Sequence, residues 1–330
     1  MQAIGNPVHP IASEALERQQ ASSRAGALMA GARRSCRVAI LLAFTGLGAG
    51  WGCGRSALEV PKNSKPGRIV SLTLGTDEML AELVPIERIV AVTVFADDAG
   101  ISNVSGRYPK EIVRVNDANP ERIIALTPDL VCVAPYNSAD SLKLLERSGL
   151  SIYRNDFVND MAEIEAGLTR LGERVGEPAR ARDLIERMRD RRRRLADRLR
   201  TVAHRPRVLF WSAGFTSGHR STIDEIIREG GGINVAAELN LVGSAELAPE
   251  RVVAADPDVV LLSYWKDDER QGQIASHPIL RQLRAVREGR VIAIESRYLT
   301  SVSPFVVEAT ERLARALHPE SFSSDSKVEP

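Results

Sequence analysis

The sequence contains the same short pattern twice, and this repeat limits the folds that are open to the chain. Residues 120–135 read PERIIALTPDLVCVAP, and residues 249–264 read PERVVAADPDVVLLSY. In each copy the first Pro favours the first turn of a helix, and the second Pro ends that helix before a short apolar run. Short uninterrupted apolar runs are typical of parallel strands covered on both faces. The repeat therefore predicts an α/β protein built from two similar lobes.

The first 53 residues have the pattern of an export signal. Three arginines precede an apolar run over residues 38–47, and small residues then lead to Cys53. The run is shorter than the roughly 20 residues of a membrane span, so the pattern favours a secretory signal. Because Cys53 directly follows a Gly, we expect it to be the lipidated first residue of the mature chain. Plain cleavage nearby and an uncleaved anchor are the alternatives, and Met29 is an alternative start to Met1.

The remaining chain predicts two Rossmann-like α/β lobes joined by a single long rigid helix. The repeat copies, the predicted strands around them and one long helical pattern set the boundaries. The expected segments are an export signal over residues 1–53, a tether over 54–66, a first lobe over 67–176, a connecting helix over 177–202, a second lobe over 203–318 and a tail over 319–330.

The charge distribution argues against nucleic acid as a partner. The formal net charge is +1, and residues 1–52 hold five Arg and two Glu, which leaves −2 on the rest of the chain. The predicted connecting helix carries many arginines, which are typical of a phosphate-binding stripe or of a solvated face. Asp183–Arg187 and Asp190–Arg194 have the i,i+4 spacing of intrahelical ion pairs, which favours the solvated face.

The sequence holds no constellation that is typical of an enzyme. It has no G-x-S-x-G and no H-E-x-x-H, and no glycine-rich loop joins a predicted strand to a helix. The four His of the body are scattered without metal-ligand spacing, so we expect no cofactor and no metal site built by the protein. Cys132 lies in a predicted apolar strand, and we interpret it as a small buried hydrophobe.

Small polar and aromatic residues recur directly after the predicted strands of both lobes. In open α/β sheets, ligands bind beyond the carboxyl ends of the strands, so two facing lobes would form a cleft walled by flat rings. For each single aromatic, core packing is the alternative, and Trp211 is expected to have few core contacts. The candidate ligand-binding residues are Thr73, Leu74, Gly75, Phe95 and Tyr136 in the first lobe, and Trp211, Phe215, Trp265, Arg297 and Tyr298 in the second.

Five motifs in order resemble a known family. They are RIVSL-x(3)-TDE, NPERIIALTPDLV, the segment from FTSG to GGGIN, APERVVAADPDVV and a closing helix that begins after Ser-Pro. Together they resemble the periplasmic substrate-binding proteins of ABC importers for cobalamin, ferric siderophores and haem. The resemblance covers about residues 66–318, which is nearly the whole predicted exported body.

The resemblance implies a function and two kinds of partner. A ferric siderophore, haem or cobalamin would be held between the lobes and delivered to an ABC permease and its ATPase. Glu121 and Glu250 occupy the positions at which the family docks onto permease arginines, although both would also stabilise helix starts. We expect a monomer in the periplasm or at the cell surface, attached to the membrane by its lipid. A ligand-sensing or accessory lipoprotein, or an enzyme on a similar two-lobed scaffold, are the alternatives.

Overall fold

The computed structural model describes residues 65–116, 118–156, 158–212, 214–265 and 280–323. The predicted export signal, Cys53, the tether up to residue 64 and the last residues of the tail lie outside these ranges. Among the helices of the described residues, none combines the length and the apolar character that crossing a membrane requires.

The first part of the described chain alternates strands and helices, as the repeat predicts. Three-residue to five-residue strands are each followed by a helix or a helical turn. These elements are β1 (Ile69–Ser71), α1 (Leu74–Leu83), β2 (Ile89–Thr93), β3 (Val113–Val115), α2 (Pro120–Ala125), β4 (Leu130–Val133), α3 (Ala139–Arg147), β5 (Ile152–Arg154) and α4 (Met161–Arg174).

A long helix, α5 (Pro178–Leu199), then leads into a second alternating region. Its elements are β6 (Arg207–Phe210), β7 (Phe215–Ser217), α6 (Thr222–Glu229), β8 (Ile233–Asn234), α7 (Val235–Glu238), β9 (Ser244–Glu246), α8 (Pro249–Ala255), β10 (Val259–Tyr264), α9 (Arg284–Arg287), β11 (Val291–Glu295), α10 (Ser296–Leu299) and α11 (Val306–Leu317).

Each region builds its own parallel sheet. In the first lobe the strand order is β3-β2-β1-β4-β5, and in the second lobe it is β11-β10-β6-β8. The predicted strand runs are buried, as parallel strands covered by helices should be. Both orders reverse direction beside the first strand of the lobe, between β1 and β4 and between β6 and β10. Such a reversal opens a crevice at the carboxyl ends of the strands. The fold is therefore the predicted pair of α/β lobes joined by one long helix.

The connecting helix α5 packs against α1 and α4 of the first lobe and against α6 and α11 of the second. Its apolar side, including Leu184 and Met188, is buried in the main core. Its arginines differ from the predicted intrahelical pairing. Arg191 binds Glu308 and Glu311 of α11, and Asp190 pairs with Arg193 instead of Arg194. The basic stripe is thus partly a set of contacts to neighbouring helices, which the i,i+4 spacing alone did not indicate.

The structure corrects four local expectations of the sequence: a first helix that starts near Asp77, loops without regular structure after β6 and after β11, and a frayed tail from residue 319. Helix α1 begins at Leu74 rather than near Asp77, because the Thr73 hydroxyl accepts from the backbone N–H of Thr76 at 3.1 Å and caps the helix. The expected loop after β6 contains strand β7, and the expected loop after β11 contains the short helix α10. The start of the expected frayed tail is a helical turn, Pro319–Phe322, whose Phe322 is buried against Leu195 and Leu199.

Candidate functional site

The first-lobe candidates gather where β1 and β4 end. Thr73 is buried, and Tyr136 follows β4 near it. Burial raises the pKa of Tyr136 to about 12, and the influence of the Thr73 side chain opposes the rise only in part. The phenol oxygen is thus enclosed, although 42% of the residue's surface is exposed. Tyr136 is therefore a partly exposed aromatic residue beside the carboxyl end of β4.

Leu74 and Gly75 form the first turn of α1, and this turn faces the second lobe. A Cβ on Gly75 would lie 2.8 Å from Cγ2 of Val302, which is closer than real Cβ contacts allow. The backbone of α1 therefore lies directly against a side chain of the second lobe at this glycine. Phe95 is half-buried in the helical turn Val94–Asp97 that follows β2.

The expectation that Trp211 has few core contacts is wrong. Its residue surface is only 5% exposed, and it belongs to a buried cluster with Leu209, Val235 and Leu247. The backbone N–H of Trp211 also donates to the carbonyl of Leu261 at 3.1 Å, so the residue continues the pairing of β6 with β10. The packing favours the core alternative for this ring.

Phe215 lies on β7, which pairs in antiparallel register with β9, so that Phe215 is opposite Glu246. Two backbone hydrogen bonds between Ser212 and Phe215 close a tight hairpin, in which Gly214 has a φ of +90°. Positive φ favours Gly, because a Cβ would clash with the backbone. Phe215 is therefore held half-buried on a small ribbon rather than in an open loop.

Trp265 directly follows β10 and contacts the first lobe. Its indole N–H donates to Oδ1 of Asp98 at 2.8 Å. A Cβ on Gly100 would lie 1.8 Å from Cδ1 of Trp265 and 2.7 Å from its backbone oxygen. The ring thus lies on a glycine of the loop that follows β2. The sequence does not indicate which residues this loop contacts.

Arg297 and Tyr298 occupy α10. The guanidinium of Arg297 lies 4.6 Å from the centroid of the Tyr298 ring, and that of Arg312 lies 4.4 Å from it. Cations at these distances are attracted to an aromatic face. Nε of Arg297 is buried without a hydrogen-bond partner among the described residues. The backbone N–H of Arg297 donates to the carbonyl of Gly100 at 3.2 Å.

A second group of residues, which the sequence did not single out as a site, ties the lobes together. The carboxylate of Glu78 on α1 is buried and accepts four hydrogen bonds. Its Oε1 accepts from the backbone and the side chain of Asn103 at 2.9 and 2.8 Å, and its Oε2 accepts from Ser301 and Ser303 at 2.9 and 2.6 Å. Burial raises the pKa of Glu78 and these bonds oppose the rise. The one sequence signal was the TDE triplet, which places an acidic pair beside an apolar helix.

We call this set of contacts the inter-lobe seam. Its members share a position between the two sheets, close to the strand ends. They are Glu78, Asp98, Gly100 and Asn103 in the first lobe and Trp265, Arg297, Ser301 and Ser303 in the second. The seam brings the predicted residues Trp265 and Arg297 against the first lobe.

Two cavities lie away from the seam. One, of about 440 Å³, is lined by residues such as Arg68, Ile89 and Val113 at the amino ends of the first sheet. The other, of about 680 Å³, is lined by residues such as Pro206, Val259 and Val291 at the amino ends of the second sheet. Within the described ranges, no group of three or more His, Cys, Asp or Glu is placed to hold a metal ion. Cys132 is buried and free, as its strand position predicts.

Glu121 and Glu250 lie in the first turns of α2 and α8, each directly after a Pro at the helix start. Both are exposed. Within the part of the chain that the structure describes, no hydrogen bond or ion pair engages either carboxylate. Each of these two glutamates is therefore an exposed carboxylate without a partner among the described residues.

Comparisons with known proteins agree on one family. A family model described as periplasmic binding protein matches residues 69–298. A cobalamin-binding protein of Halobacterium salinarum is 26% identical over 273 residues, which cover 80% of this chain and 72% of that protein. The uncharacterized ABC transporter substrate-binding lipoprotein YvrC of Bacillus subtilis is 23% identical over 278 residues, which cover 80% of this chain and 84% of that protein.

A solved structure extends the comparison to the fold. The periplasmic heme-binding protein RhuT from Roseiflexus sp. RS-1, in its apo form, has a TM-score of 0.63 and 25% sequence identity. The similarity covers 77% of this chain and 98% of that structure.

Proposed function

Because the chain belongs to the periplasmic binding protein family, we propose that it captures cobalamin, haem or a ferric siderophore and delivers it to an ABC permease. The observation that carries the proposal is the meeting of the two lobes at the strand ends, where Trp265 lies on Gly100 and bonds Asp98. A binding protein that holds its ligand between lobes needs such a contact, which can open and close. The relatives that bind cobalamin and haem support a bulky flat ligand.

The side chains near the seam suit that ligand class. Tyr136, Phe95 and Trp265 offer aromatic faces to a conjugated or apolar surface, whereas Arg297 and Arg312 already lie over the ring of Tyr298. The buried, unpaired Nε of Arg297 offers a donor for an acidic group once the lobes separate. We do not assign a ligand-binding role to Trp211, because its ring is part of the core. Thr73, Leu74 and Gly75 contribute by shaping the start of α1 beside Tyr136.

The same proposal assigns Glu121 and Glu250 to docking. Each exposed carboxylate would pair with an arginine of the permease, one from each lobe. The periplasmic side of a bacterial membrane is the place of action, and Cys53 would carry the lipid that holds the monomer there. The family consists of substrate-binding proteins, so we propose transport rather than catalysis.

The test is to incubate the pure protein separately with cyanocobalamin, haem and a panel of ferric siderophores. Binding is measured by Trp fluorescence quenching, and the ligand is recovered afterwards and identified by mass spectrometry. We expect one ligand class to bind tightly and to be recovered unchanged. A time-dependent product would contradict carriage and favour an enzyme. The matched control is Trp265→Phe, which keeps an aromatic ring but removes the N–H that donates to Asp98.

A second readout separates transport from sensing. The loaded protein is added to the permease and ATPase of the same organism, reconstituted in nanodiscs, and ATP hydrolysis is measured. Stimulation by the wild type, and its loss in the double variant Glu121→Lys with Glu250→Lys, is the expected result. Tight ligand binding without any stimulation would favour the accessory or sensing lipoprotein.

A further inference from the structure

The two docking helices share a second exposed feature besides their glutamates. Ile124 on α2 and Val253 on α8 are 40% and 38% exposed, which places them among the large apolar residues that the described surface shows. Both stand three positions after a docking glutamate. Residues three apart lie on the same side of a helix, so each glutamate has a branched aliphatic neighbour on its own face.

The packing beneath each helix fixes this orientation. Ile123 and Val252, which stand two positions after the glutamates, are fully buried. Two positions along a helix correspond to nearly opposite faces, so anchoring these residues in the core turns the glutamates outward. In each helix, one aliphatic residue is therefore buried against the lobe, and the next aliphatic residue is partly exposed to solvent.

The duplication is what makes the feature informative. A single exposed aliphatic residue is ordinary on a protein surface. Here the same anion and the same kind of aliphatic residue are exposed at equivalent positions of two lobes that pack around separate cores. A core function does not explain this, because neither residue belongs to the buried core cluster of its lobe.

We propose that Ile124 and Val253, each with its neighbouring glutamate, form two equivalent docking patches for a two-fold symmetric membrane partner. Each half of that partner presents a basic side chain beside an apolar recess. The inference rests on the proposed delivery of ligand to a permease and adds the apolar half of the contact. The carboxylates supply charge complementarity and orientation, whereas the aliphatic side chains supply burial that salt does not screen.

The test compares two double variants. Ile124→Ser with Val253→Ser removes the proposed apolar contacts. Ile233→Ser with Val242→Ser is the control, because it removes the same two residue types at sites that are 38% and 60% exposed and lie outside the two helices. Affinity for the reconstituted permease and ATPase is measured at about 0.05 M and about 0.5 M NaCl, which changes the screening length severalfold. Melting midpoints and ligand binding are measured on the same samples.

The docking variant is expected to bind the permease roughly tenfold more weakly at both salt concentrations, since each patch loses part of one buried aliphatic side chain. The variant Glu121→Gln with Glu250→Gln should lose more affinity for the permease at low salt than at high salt, because salt screens the charged contacts. The control should bind as the wild type does. Ligand affinity should be the same in all samples, because the patches lie outside the seam.

Several results would overturn the inference. If the docking variant binds the permease as tightly as the wild type while the Gln variant does not, the apolar contacts have no role and the proposed function stands. If the substitutions instead abolish binding to empty nanodiscs of anionic lipid, or abolish dimerisation of the chain, the occupant is lipid or a second copy. If the wild type does not bind the permease, the proposed docking patches have no partner and the inference is wrong. Ligand binding by the same protein still tests ligand capture separately.

Discussion

At the residue scale, Asp77 combines full burial with hydrogen bonds that favour its ionised form. Burial raises its pKa to about 7, and hydrogen bonds from the side chains of Ser71 and Thr93 and from the backbone of Thr93 oppose the rise. The hydroxyl of Thr93 donates to Oδ2 at 2.5 Å. Because the pKa is higher in the folded chain than in the unfolded one, the folded state binds the extra proton. Its stabilising contribution is therefore complete below about pH 4 and is lost as the pH rises through about 7.

We predict that Asp77→Asn reduces the fall of unfolding free energy between about pH 4 and about pH 7. Urea unfolding at several pH values measures it. The pKa of Glu78 is also raised by burial, so part of the slope should remain in the variant.

Asp258→Asn is the control. Burial would raise the pKa of Asp258, but hydrogen bonds from the Arg207 backbone and from Arg284 outweigh burial and lower the pKa. The Asp258→Asn variant should therefore lose a nearly constant amount of unfolding free energy between about pH 5 and about pH 8. An unchanged slope in Asp77→Asn would contradict the prediction.

Trp211 leads to a prediction about stability rather than binding. Because its ring is buried among Leu209, Val235 and Leu247, Trp211→Ala should lower the free energy of unfolding by about 3–5 kcal/mol. Trp265→Ala is the matched control, since Trp265 is only half-buried and should cost less. Chemical denaturation measures both. A larger loss of stability in Trp265→Ala than in Trp211→Ala would show that the core assignment of Trp211 is wrong.

Residue-level prediction from sequence succeeded where one local pattern decides the outcome. Cys132 in an apolar run is buried, and the Pro-Glu pairs start helices. It failed for Trp211, because residues just past a strand end are either in the crevice or in the core, and tertiary packing decides between them. Glu78 was missed as a site residue because its partners Ser301 and Ser303 lie more than 200 positions away.

At the element scale, the connecting helix is held by ion pairs that cross to its neighbours. Arg191 donates to Glu308 and Glu311 of α11, and both α11 and α5 pack on the second-lobe sheet or its helices. The site is partly buried, so the pairs are less screened than those at the surface. The helix is thus fastened to the second lobe as well as to α4.

We predict that Arg191→Met lowers the free energy of unfolding by about 1–2 kcal/mol, since it removes three hydrogen bonds to the partly buried carboxylates of Glu308 and Glu311. Arg193→Met is the control on the same helix, because Arg193 is exposed and pairs only locally with Asp190. Its effect should stay within about 0.5 kcal/mol. Thermal and urea unfolding measure both variants. Equal losses would indicate that helix propensity, rather than the contact with α11, is responsible.

Elements with a strong internal signal were predictable, and elements set by partners were not. Both repeat helices and both buried strands that follow them occur where the sequence predicts. Strand β7 was missed because its hydrogen bonds come from β9, about 30 positions away, and its own residues carry a turn-like composition. Helix α10 was missed because four residues show no periodicity, and its backbone is held by contacts to Gly100 and α11.

At the scale of the whole molecule, the repeat was enough to predict two lobes with parallel sheets. It was not enough to predict how the lobes meet, because neither copy of the repeat belongs to the inter-lobe seam. The seam is formed by Glu78 of α1, the loop after β2, Trp265 directly after β10, and the chain from α10 to Ser303. These stretches have no counterpart in the repeat, so only the three-dimensional structure brings Asp98 to Trp265 and Glu78 to Ser303.

Gly100 makes the closeness of the lobes testable. Any Cβ at this position would overlap the ring of Trp265 and lie 2.7 Å from the Trp265 backbone oxygen. The ring alone could rotate away, but the backbone contact requires the lobes to separate. We therefore expect Gly100→Ala to fold normally, to hold the lobes further apart and to bind ligand more weakly, since a ligand between open lobes contacts one lobe at a time.

Small-angle scattering and fluorescence titration with cobalamin, haem and ferric siderophores measure these two effects. The control is Gly67→Ala, whose Cβ would meet Asp129 at an ordinary 3.6 Å. It should match the wild type in radius of gyration and in affinity. In Gly100→Ala a larger radius of gyration should accompany the weaker binding, because both follow from the same obstruction. If the radius increases while affinity is unchanged, the ligand does not depend on lobe closure, and the binding site lies on one lobe away from the seam.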